Sequence, residues 1–135
     1  MKKLIIMLSL LLGGCSVVQP FVDRFMIAPF DENEYGLVNK LRTLAIETKP
    51  KCGSDDIDVN QMYHTALLLK NYSEYLPKND QTIKPVGLTF QMVSELKTRY
   101  DKEQKINKVY CELKTQSIID ASEAIQKTIG KRPRP

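Results

Sequence analysis

The sequence predicts an all-α protein, a small bundle of three to four helices. Three observations support that class. Apolar residues recur every three to four positions through four separate segments. Helix-starting and helix-stopping residues bracket those segments. Setting aside the first 14 of the 135 residues leaves 121, enough for one compact domain. The helical domain is expected over residues 31–130.

The first helix starts with Asp31-Glu32-Asn33-Glu34, which has capping-box spacing: an acid at the N-cap and Glu three residues on. Two acids in the first turn also suit the helix dipole. Leu37, Val38, Leu41, Leu44 and Ala45 supply the apolar face, and Lys49 precedes Pro50, which ends the helix. Residues 50–58 form a polar connection that holds Cys52. Its Asp55, Asp56 and Asp58 lack the central glycine and the position-twelve glutamate of an EF-hand, so they read as a solvated loop with an N-cap. A second helix runs from about Val59 through Met62, Tyr63, Ala66, Leu67 and Leu69, and closes at Leu76 before Pro77, with Tyr72 and Tyr75 flanking its end. The single histidine, His64, has no nucleophile or carboxylate partner at recognisable spacing and reads as structural or exposed.

Pro77, Asn79, Asp80 and Pro85 mark residues 77–85 as a loop. A third helix follows from about Val86, carrying Phe90, Val93, Leu96 and Tyr100. The fourth carries Ile106, Val109, Tyr110, Leu113, Ser117, Ala121 and Ile125, with Ile118, Ile119 and Ile129 widening the stripe and Gly130 as a C-terminal stop. The charged stretch near 101–106 offers little to bury and predicts a turn there. One bent helix is the alternative, since neither proline nor glycine interrupts the stretch. Lys131-Arg132-Pro133-Arg134-Pro135 is basic and proline-spaced, so residues 131–135 are expected to be an extended, disordered tail.

The N-terminus carries a different signal. Lys2 and Lys3 precede nine apolar or small residues, Leu4 to Leu12, then Gly13, Gly14 and Cys15. The apolar run is too short to cross a bilayer core of about 30 Å as a helix, and it has the length of a secretory h-region. Leu12-Gly13-Gly14-Cys15 resembles the lipobox of bacterial lipoproteins. The resemblance implies removal of residues 1–14, diacylglyceryl transfer to the Cys15 thiol and acylation of the new amino group; several acyl chains make a stable anchor where one does not. In a Gram-negative host, Ser16 in place of aspartate favours the periplasmic face of the outer membrane. Residues 15–30 then form a lipid-anchored arm whose Val17, Val18, Phe21, Val22 and Phe25 either lie in the membrane interface or pack back on the domain.

With Cys15 given to lipid, Cys52 and Cys111 remain as a pair in an oxidising compartment, and one intramolecular disulfide completes the expected fold. Free buried thiols or an intermolecular bridge are the rivals. Closing a loop of that length would stabilise the fold by about 4 kcal/mol in the chain-entropy model. A metal site is not expected, because no further ligands cluster with His64.

Charge divides unevenly. The chain has 20 basic and 16 acidic residues, yet residues 127–135 hold Lys127, Lys131, Arg132 and Arg134 with no acid, which leaves residues 15–126 at a net of −2. An acidic body argues against nucleic-acid binding. No phosphate loop, nucleophile elbow or ligand spacing supports an enzyme, and no cofactor or small-molecule substrate is expected. The expected function is a non-enzymatic interaction module that binds an envelope protein. Its candidate contacts are Tyr72 and Tyr75, amphipathic side chains beside a loop, and Lys131, Arg132 and Arg134 of the basic tail. The overall design is also similar to the outer-membrane subunit of a phage spanin, which implies an inner-membrane partner and a role in lysis. This chain departs from the short, proline-rich version of that design by its four helical segments. A phage lipoprotein that excludes superinfection, or a structural envelope spacer, are further alternatives.

Overall fold

The structure, a computed structural model, describes residues 26–135; Cys15, the segment before it and the first part of the arm lie outside the described residues. The described residues contain four α-helices: α1 Glu32–Thr48, α2 Val59–Tyr75, α3 Asp80–Glu103 and α4 Lys108–Gly130. A short 3-10 turn, Lys49–Lys51, extends α1. Each helix packs on its neighbours in sequence, and α4 packs back on α1 to close the ring. The contacts run in opposite directions along neighbouring helices: Glu95 meets Lys114 and Arg99 stacks on Tyr110, while Arg42 meets Glu123 and Lys49 meets Gln116. This is an up-down-up-down four-helix bundle. None of the helices described is long and apolar enough to cross a membrane.

The core follows the expected stripes in the first three helices. Val38, Leu41 and Ala45 of α1, Val59, Met62, Ala66 and Leu69 of α2, and Val86, Val93 and Leu96 of α3 are all buried. Leu37, Leu44, Tyr63, Phe90 and Tyr100 pack against them from the margin. Asp31 caps α1 as expected, accepting from the Glu34 N–H at 2.8 Å. Asp58 does the same for α2 through Gln61, at 2.9 Å.

Cys52 and Cys111 form the disulfide, with Cα atoms 5.6 Å apart and a sequence separation of 59. Both residues are buried, at 5% and 0% exposure. The bridge joins the α1–α2 connection to the start of α4. It also sets the rotation of α4, and here the sequence reading needs correction. Val109 and Leu113, expected in the core, are 62% and 65% exposed, and Ser117 is exposed as well. Cys111, Thr115 and Ser122 take the inward positions instead, while Ile118, Ile119, Ile125 and Ile129 are buried as expected. Tethering Cys111 inward carries its i+4 and i+7 neighbours inward with it. Thr115 tolerates burial because its hydroxyl donates back to the Cys111 carbonyl at 2.7 Å.

Two boundaries also differ from expectation. Helix α3 begins at Asp80 rather than Val86 and contains Pro85. Proline at the sixth position removes one backbone hydrogen bond near the helix start and leaves the rest of the helix intact. The break between α3 and α4 is real, and it is made without proline or glycine. Gln104 takes the left-handed conformation, φ 54°, and its N–H caps Tyr100 at 2.8 Å. Asn107 then caps α4 by accepting from the Tyr110 N–H at 3.1 Å. Ile106, expected inside the fourth helix, lies in this turn and plugs the core at 3% exposure.

Candidate functional site

The up-down topology brings the start of α1, the end of α2, the start of α3 and the end of α4 to one end of the bundle. A buried polar cluster joins them. Glu34 of α1 is fully buried, and its carboxylate turns inward rather than back to the helix N-terminus, so only the Asp31 half of the expected capping box forms. One oxygen accepts from Ser73 Oγ of α2 at 2.8 Å, from Asn79 Nδ2 in the α2–α3 turn at 2.7 Å and from Thr82 Oγ1 of α3 at 2.9 Å. The other accepts from Arg132 Nη1 at 2.7 Å. The second guanidinium branch, Nη2, donates to Asn79 Oδ1 at 2.6 Å and to Thr82 Oγ1 at 3.0 Å. Asn79 is thereby fixed in orientation: its amide oxygen faces the guanidinium, and its NH₂ faces Glu34 and the Ser73 carbonyl.

The side chains of Glu34 and Arg132 are 0% and 1% exposed, so no ligand reaches the cluster. Buried opposite charges must offset the loss of water through mutual attraction and hydrogen bonds, and most of the polar groups here are partnered. Arg132 Nε is the one group of the cluster without a hydrogen-bond partner. The cluster acts as a clamp that fastens the C-terminus to all four helices.

The tail is therefore not a disordered end. Arg132 caps the core instead of reaching into solvent, which removes it from the surface contacts expected of it. Beyond it, the Pro133 carbonyl accepts from the Phe30 N–H at 2.9 Å, and the Arg134 guanidinium stands 4.6 Å from the Phe30 ring centroid. The Ala28 N–H donates to the Lys78 carbonyl at 3.0 Å, and Ala28 is buried. Over residues 28–30 the arm thus packs back on the domain.

The other expected contact residues separate. Tyr72 is half-buried: its hydroxyl donates to Asp31 at 3.2 Å and accepts from Asn33 at 3.3 Å, which ties α2 to α1. Tyr75 is 84% exposed. Lys131 and Arg134 are also exposed. His64 is exposed beside Tyr63. Among the described residues, no group of three or more His, Cys, Asp or Glu is placed to hold a metal ion.

Sequence reasoning missed the clamp, although a signal was present. Glu34 sits four residues before Val38 and seven before Leu41, so it continues the apolar stripe of α1. A carboxylate on a core stripe needs a buried cation. The tail arginines were the place to look, because Ile129 and Gly130 end the last helix just before them.

On the outer margin of α3 and α4, Arg99 stacks on Tyr110 at 4.0 Å, and Glu95 pairs with Lys114. The hydrogen bond from Lys114, helped by one from Gln91, holds the Glu95 carboxyl below its ordinary pKa. This margin is open and solvated. No protein-family model, curated protein or solved structure matches the chain.

Proposed function

We propose that this chain is a lipid-anchored envelope protein that acts as a non-enzymatic interaction module on the periplasmic face of the outer membrane. The observation that carries the reading is the cysteine arithmetic. Cys52 and Cys111 are joined to each other, as suits an oxidising compartment, and Cys15 is the remaining cysteine, standing directly after the lipobox-like Leu12-Gly13-Gly14. The surface turned outward by the rotation of α4 supports the module role. Val109 and Leu113 are one helical turn apart and well exposed, which offers an apolar contact strip to a protein partner.

The test places a photo-crosslinking residue at Leu113 and, as a control, at exposed His64, in cells carrying the native lipobox. A discrete protein adduct from Leu113 and none from His64 is expected. Absence of any adduct at Leu113 counts against the module. In parallel, Cys15→Ser is expected to move the protein out of the membrane fraction; a variant still cut at the same bond and still membrane-bound contradicts the anchor.

A further inference from the structure

We propose that the clamped end of the bundle lies against the lipid surface, with Tyr75 and Met26 seated at the headgroup boundary. The inference rests on the lipid-anchor reading of Cys15 and adds an orientation to it. Among the described residues, the two most exposed large hydrophobic side chains are Tyr75 at 84% and Met26 at 70%. Both belong to the same end. Tyr75 is the last residue of α2, and Met26 leads into the arm that crosses this end through Ala28 and Phe30. The chain outside the described residues leaves from that end as well, and only eleven positions separate Met26 from Cys15.

Five of the ten residues between them, Val17, Val18, Phe21, Val22 and Phe25, are apolar. Holding such a tether out in water is unfavourable, and the acyl chains at its start offer the alternative. The clamp makes this orientation persistent, because the Phe30 to Pro133 and Ala28 to Lys78 hydrogen bonds fix where the tether departs. Tyrosine suits the boundary, with an apolar ring and a polar tip. Exposed Lys78, Lys131 and Arg134 belong to the same end of the chain path, with long stems that can hold their charges at headgroup level. Asp31, Glu32, Glu74 and Asp80 share this end. Its charges are therefore mixed and nearly balanced, and the contact is apolar rather than electrostatic.

The chain contains no tryptophan, so one introduced tryptophan is a clean reporter. Mature protein is purified from membranes as Tyr75→Trp and, separately, as Val109→Trp at the opposite end. Both are reconstituted in phosphatidylethanolamine/phosphatidylglycerol vesicles whose acyl chains carry bromine near the headgroups. Mass spectrometry reads the lipid on Cys15. The Tyr75→Trp protein is expected to lose about half its emission, as an interfacial aromatic would, and the loss should persist in high salt. The Val109→Trp protein is expected to keep its emission. A lipid-bearing protein in which both reporters stay bright, or dim equally, overturns the orientation and leaves the anchor standing. A protein without the lipid mass removes the anchor, and the orientation falls with it.

Discussion

At one end of the bundle, Cys52 and Cys111 tie the α1–α2 connection to the start of α4 by a covalent bond. At the other end, Glu34 and Arg132 tie the start of α1 to the tail after α4 by a buried ion pair and its hydrogen bonds. Both devices join segments from the two halves of the chain, and the 24 residues of α3 that lie between them span about 36 Å. They work differently. The disulfide stabilises chiefly by restricting the unfolded chain, and the polar clamp at the far end need not change when it is lost. The ion pair does nothing for the unfolded chain. Its strength lies in the folded state, and removing one partner leaves the other charge stranded.

Reduction of the disulfide, or Cys52→Ser with Cys111→Ser, is expected to have the largest effect, a loss of about 4 kcal/mol for a loop of this size. Urea unfolding with and without reductant measures it. The loss should fall mainly on the midpoint, with native amide exchange at the clamped end unchanged. If reduction also freed the Ala28 and Phe30 amides, the two ends would not be independent.

Arg132→Ala comes next, at about 3 kcal/mol, because Glu34 is then buried without its cation. Here native exchange should change: the Phe30 amide, bonded to Pro133, and the Ala28 amide, bonded to Lys78, should lose protection while amides around Cys52 and Cys111 keep theirs. Arg132→Lys is expected to recover only part of the loss. A single ammonium can meet Glu34 but cannot also fill the fork that reaches Asn79 and Thr82. Combined with disulfide reduction, the Arg132→Ala loss should add within about 0.5 kcal/mol, as distant sites do.

The same two ends show which parts of the fold were legible. The covalent end could be read, since two cysteines left after Cys15 have one simple pairing and the loops around Pro50 and Pro77 are punctuated by helix stops. The four helices were legible for the same reason, and in the first three the core stripes matched. The polar end was not legible, because its members are far apart in sequence and each has an ordinary local explanation. Glu34 passes for a cap, Asn79 for a loop residue and Arg132 for a solvated tail. In α4 the isoleucines were placed correctly, but Val109 and Leu113 were misplaced for a related reason. The apolar residues of this helix lie nearly all round, so periodicity alone offered two faces, and Cys111 had to decide between them. The start of α3 was missed because Pro85 reads as a helix breaker, whereas in the fold it is tolerated in the second turn. Of the candidate residues, the Cys52–Cys111 pair was legible, Tyr75 was placed correctly as exposed, and Tyr72 and Arg132 were misplaced.

The smallest expected effect separates buried from exposed charge. Glu95 and Lys114 form an ion pair across α3 and α4, with side-chain exposures of 44% and 25%. The Lys114 hydrogen bond depresses the Glu95 pKa below its ordinary value of 4.5. A depressed carboxyl contributes stability above that unfolded value, and the contribution is lost as pH falls through the lower folded value. Solvent screening keeps an exposed pair small, so Glu95→Gln should cost less than about 1 kcal/mol at neutral pH. Salt should erase most of that difference, and so should acid below the folded value. The Arg132→Ala loss should not respond to salt in the same way, because water and counter-ions do not reach Glu34. Urea midpoints at low and high salt make the comparison. If Arg132→Ala lost its effect in high salt as Glu95→Gln does, the clamp would be an exposed pair in solution and the distinction between the two ends would collapse.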